Sequence, residues 1–261
     1  MKKLGYFCLM VCFGPMISCQ LGERLDVRDM GDAPGYFLEC YCQPGEMYEM
    51  TATRIAPIAE AQVLDYSLKF DVRIWDGEEI KLNHSLFTKP GTDFIYNYAT
   101  SHCLDPELTD TIYLCATAPG GEKLTAKTAV PEAVKIDTVI LERDCLQIFF
   151  KTSVHKEQNF YALTVNWNGE GKKYGHIRFL DGYTEEQWVR YELLIPEKER
   201  QDSLVVGLKR MTEEGFKYQY SLHEANMAGN ESMFLPVELS GNISGALGIF
   251  TCYTADRVRV K

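Results

Sequence analysis

The side chains in this sequence that could do chemistry are scattered rather than gathered into motifs. His84, His102, His155 and His176 have no partner at catalytic spacing nearby, and His223-Glu224 is half of an H-E-x-x-H pattern whose second histidine is missing. The sequence contains no G-x-S-x-G elbow, phosphate-binding P-loop or G-x-G-x-x-G turn. The acid pairs Glu185-Glu186 and Glu213-Glu214 are of the type used in glycoside hydrolysis. In so acidic a chain they read more simply as solvated faces, and the carboxyl separation that decides such chemistry is not visible in sequence. Cys40-x-Cys42 together with His102-Cys103 offers thiolate and imidazole, which suit zinc, but not at the C-x₂-C spacing of structural zinc sites. No catalytic centre, metal or cofactor is therefore predicted. The aromatic residues are more suggestive. Trp75, Trp167 and Trp188, with many tyrosines, could form a platform that stacks on sugar rings or grips a peptide. Core packing accounts for most aromatics, so Trp188, after the polar stretch Thr184-Glu185-Glu186-Gln187, is the one whose exposure would matter.

A second kind of chemistry lies at the start of the chain. Met1-Lys2-Lys3, followed by an apolar run from Leu4 to Ile17, has the layout of a secretory signal. The run is shorter than the ~20 residues of a spanning helix, and no later segment is long and apolar enough to replace it. It ends in Met16-Ile17-Ser18-Cys19, which resembles the lipobox of bacterial lipoproteins: an apolar residue, a tolerant position, a small residue, then the cysteine that becomes acylated. Residues 1–18 are expected to be removed, leaving lipid on Cys19 as the membrane anchor and residues 19–34 as a polar tether. Removal takes Lys2 and Lys3 and no acid. That leaves 25 basic residues against 37 acidic ones, and the formal charge of −10 becomes −12. Such a body repels phosphate backbones, so nucleic acid is excluded as a partner.

Six cysteines remain in the body: Cys40, Cys42, Cys103, Cys115, Cys145 and Cys252. Beyond the inner membrane they could pair, in connectivities that sequence does not separate, or stay free and buried. Cys40 and Cys42 are not expected to bond each other, because on a strand they share a face with their Cβ atoms too far apart.

The elements that must carry these residues read as strands almost throughout. Tyr36 to Cys42 and Met47 to Ile55 flank the turn former Pro44-Gly45. Leu68 to Trp75 alternates apolar with polar residues and meets Glu78 to Leu82 across Asp76-Gly77, a type I′ hairpin signal. Thr111 to Thr117 and Lys123 to Val130 flank Pro119-Gly120-Gly121. Further strands are predicted at Val134 to Leu141, Leu146 to Thr152, Phe160 to Trp167, Tyr174 to Leu180 and Ser203 to Lys209. Leu247 to Tyr253 and Arg257 to Val260 read as a closing strand pair. One amphipathic helix is predicted over Thr212 to Met227, where Phe216, Tyr220, His223 and Met227 recur at helical spacing after a Thr212 cap. Its stripe reads as core facing a sheet. The fold class is mainly β, with two antiparallel domains: an immunoglobulin-like sandwich over 35–131, and a second β-sandwich-like domain over 132–261 that holds the helix.

The C-terminal run Pro236-Val237-Glu238-Leu239-Ser240-Gly241-Asn242-Ile243-Ser244-Gly245-Ala246-Leu247-Gly248-Ile249-Phe250, followed by Tyr253 and the strand Arg257 to Val260, resembles the closing signature of a family of Bacteroidetes-type lipoproteins, domain of unknown function 4249. Other pieces agree in order: the lipobox, Glu39 to Pro44-Gly45-Glu46 with Thr51 to Pro57, Lys135-Ile136-Asp137-Thr138, and Tyr218-Gln219-Tyr220 before a helix. The resemblance implies an outer-membrane lipoprotein, usually encoded beside a TonB-dependent receptor, with an immunoglobulin-like first domain and no established catalytic residues. Gln20-Leu21-Gly22-Glu23 departs from the acidic run that surface-exported relatives carry, which leaves open the leaflet that the body faces. Asp110-Thr111-Ile112, Asp137-Thr138-Val139 and Asp202-Ser203-Leu204 resemble the short O-glycosylation sequon of such bacteria. The expected role is a non-catalytic accessory or ligand-capturing subunit of a TonB-dependent nutrient transporter. The alternatives are a free-standing surface binder of glycan or peptide and, least supported, a hydrolase built on the acid pairs.

Overall fold

The computed structural model describes residues 35–55, 66–88, 95–169, 172–195, 204–230 and 238–260. The signal segment, Cys19 and the tether lie outside the described residues, as does Asp202-Ser203. The chain is mainly β. Strands β1 (Tyr36–Cys42), β2 (Met47–Arg54), β3 (Asp71–Trp75), β4 (Glu79–Thr88), β5 (Ile95–Cys103), β6 (Thr111–Thr117) and β7 (Lys123–Ala129) form the first half. The second half holds β8 (Ile136–Glu142), β9 (Cys145–Lys151), β10 (Phe160–Gly169), β11 (Lys172–Leu180), β12 (Trp188–Leu194), β13 (Leu204–Met211), helix α1 (Glu213–Asn230) and β14 (Leu247–Val260). Eleven strands make one sheet in the order β11-β10-β13-β14-β1-β2-β5-β4-β3-β6-β7, and β12-β9-β8 make a second.

Alternation explains which face each strand buries. In β1, Leu38, Cys40 and Cys42 point inward, and so do Tyr48, Met50 and Ala52 in β2. β4 pairs with β3 through its first residues and with β5 through its last, with a register shift between His84 and Phe87. The large sheet thereby doubles back, and β1, β2 and β5 close against β3, β6 and β7 around a first core that includes Val72, Ile74, Ile112 and Leu114. A second core lies between β10 and β13 of the large sheet and the small sheet, with Tyr161, Leu163, Val206 and Leu208 facing Ile148, Phe150 and Val189.

Both halves depend on β14. Its C-terminal part pairs antiparallel with β13, from Tyr253↔Met211 to Val260↔Leu204. Its N-terminal part pairs parallel with β1, from Leu247↔Phe37 to Cys252↔Cys42. Phe250 and Cys252 sit in the first core, whereas Val258 and Val260 pack on the second. The predicted closing strand pair is thus one continuous strand. Ala255 and Asp256 read as a break in sequence, yet they stay in the ladder opposite Lys209 and Leu208, and the Asp256 carboxylate accepts the Ile136 N–H at 2.8 Å.

The closing signature is the entry to this strand. Asn242 behaves as a one-residue strand: its Oδ1 accepts the Phe250 N–H at 2.9 Å and its Nδ2 donates to the Phe250 carbonyl at 2.8 Å. Gly248 has φ +112°, and a Cβ there would lie 1.8 Å from the Leu38 carbonyl oxygen, so only glycine lets β14 meet β1.

Three further readings are corrected. The Asp76-Gly77 connection is not a two-residue turn, since Trp75 pairs with Glu79 across Asp76, Gly77 and Glu78, and the Asp76 carboxylate turns inward to Tyr48. β5 escapes prediction because Asn97 stands mid-strand. It is fully buried, and its amide bonds both the N–H and the carbonyl of Ala52. β12 was hidden by the polar residues before Trp188, although Val189, Tyr191 and Leu193 alternate toward the second core.

Gly248→Ala is expected to lower unfolding free energy by about 3 kcal/mol or more in urea titrations. Gly77→Ala, at φ +116° but with nothing within 4 Å of its Cβ, should lose only about 1 kcal/mol. Equal losses would mean that the approach to Leu38 is unimportant.

Candidate functional site

Helix α1 starts where the sequence places it. Thr212 Oγ1 accepts the Gly215 N–H at 3.2 Å, and Glu213 and Glu214 stand in the first turn, where the helix dipole favours acids. Gly215 lets the helix lie on β14, since a Cβ would meet Thr251 Oγ1 at 2.3 Å. The helix packs on β14 and β10. Its aromatic stripe begins as core and leaves it along the helix: Phe216 is buried among Phe160, Ala162 and Met211, whereas Tyr220 is 46% exposed.

Where the stripe emerges, α1 and β11 enclose an open cleft of about 520 Å³. Phe179 forms its floor, with ring centroids 5.7 Å from each of Phe216, Tyr220 and His223. The Phe216 and Tyr220 rings are nearly parallel, at 7° and 6.3 Å. Ile177, Arg178 and Asp181 on the β11 side, and His223 and Glu224 on the helix side, complete the wall. An exposed aromatic face with two carboxylates and an imidazole at its rim can hold an apolar or ring-bearing group and orient it with hydrogen bonds. Sequence reasoning had assigned the stripe to core and missed Phe179, Arg178 and Asp181. The available signal was β11 itself: Ile177 and Phe179 on one face and Leu180 on the other make a strand apolar on both sides, so something must cover each.

The three tryptophans are not brought together. Trp75 is half-buried on β3 beside Tyr113 and Glu79, in the first half of the molecule. Trp167 lies in β10 opposite Leu204 and Tyr174, and its side chain falls outside the described residues. Trp188 is 64% exposed on β12, opposite Lys151 at an edge of the small sheet.

A second, smaller cleft of about 240 Å³ lies at the linker between the halves. Ser153 and Glu132 line it and His155 stands beside Glu132, but not as a nucleophile and its base. The Ser153 hydroxyl donates to Glu132 Oε2 at 2.7 Å, while His155 Nε2 lies 3.4 Å from the other carboxylate oxygen. Buried Arg210 donates to the Glu132 and Ala133 carbonyls and to the Tyr161 hydroxyl, and Thr254 donates to the Glu132 carbonyl at 2.7 Å. This network clamps the linker onto β13 and β14.

The remaining candidates are engaged locally. Glu186 pairs with Lys151, which holds its carboxyl below the usual range, and Glu213 pairs with Lys217 one turn on. His102 Nε2 is 3.1 Å from the Asp76 carboxylate, His84 meets the Tyr66 carbonyl, and His176 meets the Tyr191 hydroxyl. Burial, followed by the nearby Arg178, lowers the His176 pKa. Cys40 and Cys42 keep their sulfurs 3.8 Å apart, and all six body cysteines are free. Burial pushes the Cys252 thiol up to about 12. Among the described residues no three His, Cys, Asp or Glu side chains gather to hold a metal ion, and no helix is long and apolar enough to cross a membrane.

Two of the sequence pieces that carried the family resemblance meet in space. Glu39 of β1 accepts the Tyr41 hydroxyl at 2.6 Å and is also hydrogen-bonded by Tyr218, which stands inside α1 rather than before it. Ile136 of a third piece bonds Asp256 on β14. The profile of the family described as "Domain of unknown function (DUF4249)" matches residues 24–259. The chain belongs to this family. No curated protein matches the chain. As a DUF4249 member it shows that the closing signature serves strand entry, because Asn242 and Gly248 act on the backbones of Phe250 and Leu38.

Two measurements test this description. Alkylation of the folded protein should label Cys103 at once, while buried Cys40, Cys42 and Cys252 react only in denaturant; early labelling of those three would contradict the packing. Burial raises the Glu39 carboxyl pKa above its ordinary 4.5, against the hydrogen bonds from Tyr41 and Tyr218. The folded state then holds that proton longer than the unfolded chain, so this carboxyl's contribution falls as pH rises from about 4 through its folded pKa. The stability of Glu39→Gln relative to the parent should accordingly improve between about pH 4 and pH 7, and a difference flat with pH would refute the assignment.

Proposed function

We propose that the protein is a non-catalytic lipoprotein of the outer membrane, anchored through acylated Cys19, and that it serves as an accessory or ligand-capturing subunit of a TonB-dependent nutrient transporter. The observation that carries this reading is the open aromatic cleft between α1 and β11, with Tyr220 exposed and Arg178, Asp181, His223 and Glu224 around it. Such a surface suits reversible recognition. The Ser153–Glu132–His155 group, the nearest approach to a catalytic set, is given over to holding the linker. The lipobox at Met16-Ile17-Ser18-Cys19 and the family resemblance supply the membrane and transporter parts of the proposal. The acidic body supports exclusion of nucleic acid.

A second reading, a free-standing surface binder of glycan or peptide, is favoured by Trp188, whose indole stands 64% exposed on an edge strand. Purifying the tagged protein from gently solubilised outer membranes separates the two. A TonB-dependent receptor recovered in near-equal amount supports the accessory subunit, and recovery of the lipoprotein alone supports the solitary binder. Cys19→Ala should move the protein out of the membrane fraction; a variant still bound there would refute anchoring through that residue.

A further inference from the structure

β11 is the last strand of the large sheet, and among the described residues it pairs with β10 alone. The β10–β11 ladder closes with Gly169↔Lys172, the pair flanking a two-residue connection. The pair that closes such a hairpin exchanges both hydrogen bonds, and bonded pairs then alternate along an antiparallel ladder. Counting from Gly169↔Lys172, the pairs Val165↔His176, Leu163↔Arg178 and Tyr161↔Leu180 are the bonded ones. Gly175, Ile177 and Phe179 therefore turn their N–H and C=O groups away from β10, along the open edge. They also share the face of β11 that looks toward α1, where Phe179 lies under Tyr220 and His223 and where Ile177 is 39% exposed.

An edge whose backbone groups meet no partner strand among the described residues, beside a helix and with an aromatic cleft between them, is the geometry in which an extended chain can be added as a further strand. Its backbone pairs with the edge, and alternate side chains drop into the cleft. Among the described side chains of β11, Arg178 is a cation and none is an acid, in a chain of net charge −10. A cation on an edge ordinarily guards against self-pairing. Here Arg178, on the face of β11 opposite Phe179, also favours an acidic residue on an incoming strand, because opposite charges across a ladder attract. Asp181 and Glu224 line the cleft, so a side chain entering it is apolar or aromatic rather than acidic.

We infer that the β11 edge and the α1–β11 cleft form a docking site for an extended protein segment in which apolar residues alternate with acidic ones, added as a strand beside β11. This rests on the cleft being a recognition surface, as proposed above, and names the partner chemistry it takes.

The test uses full-length protein in mild detergent and a set of synthetic peptides in which glutamate alternates with valine or phenylalanine. Matched sets carry lysine for glutamate, or N-methyl groups on alternate amides. The acidic set should bind saturably and about tenfold more tightly than either control. Hydrogen exchange should show new protection at the amides of Gly175, Ile177 and Phe179. Ile177→Pro removes one outward N–H and leaves the bonds to β10, so it should weaken binding about tenfold at an unchanged melting temperature. Tyr220→Ala, a change at an exposed helix position, should weaken it too and serves if the proline variant misfolds. Absence of saturable binding, indifference to N-methylation, or protection away from β11 overturns the inference. A receptor that co-purifies equally well with Ile177→Pro also overturns it while leaving the transporter reading intact. Peptide binding without any receptor overturns the transporter reading alone.

Discussion

The pairing of β14 with β1 on one side and β13 on the other is the constraint that holds the molecule together. A strand shared by two cores must enter at a fixed height and register, because a slip of one residue would turn Phe250 and Cys252 out of the first core. Asn242 and Gly248 set that entry, the first by bonding both backbone groups of Phe250, the second by allowing contact with Leu38. Past the entry, Asp256 and Thr254 of the same strand take hold of the linker at Ile136 and Glu132. Arg210, opposite Thr254 on the neighbouring strand, donates to the same Glu132 carbonyl and to that of Ala133. The first half, the linker and the second half are thus all held through β14 and its immediate partner.

The candidate site follows from the same arrangement. β14 offers Thr251 as the bed for Gly215, which fixes where α1 begins, and the helix then runs out over β10 toward the edge of the sheet. A helix that reaches the last strand without covering it leaves a cleft at the edge. The aromatic residues that would close a core elsewhere, Tyr220 and His223, remain partly open to solvent there.

Much of this was legible in the sequence. Sequence patterning located twelve of the fourteen described strands, all but β5 and β12, because one-sided burial writes a period of two into the residues, as in Leu38, Cys40 and Cys42. The helix was legible from Thr212 and the spacing of Phe216 and Tyr220. The failures share a cause, which is that a polar residue satisfied by a distant partner looks local in sequence. Asn97 broke the pattern of β5 because its partner is Ala52, and Asp256, whose partner is Ile136, fell between the two predicted closing strands. The cleft was illegible for a related reason. Phe179 and Tyr220 belong to different elements, and only the crossing of α1 over the sheet brings them to 5.7 Å. Trp188, singled out for its polar surroundings, is exposed, but it stands on the small sheet, apart from the cleft.

The parallel pairing of Phe37 with Leu247 joins the first strand of the body to the last. A ribosome delivers the chain from its N-terminus, so β1 emerges well before β14, and the strands between them are made first. Contacts so distant in sequence make folding slow, because a long loop must close before any energy is returned. Until then the inward face of β1, with Leu38, Cys40 and Cys42, has one neighbour instead of two. The first core therefore waits for a strand made long after its own first one, and β14 acts as the latch.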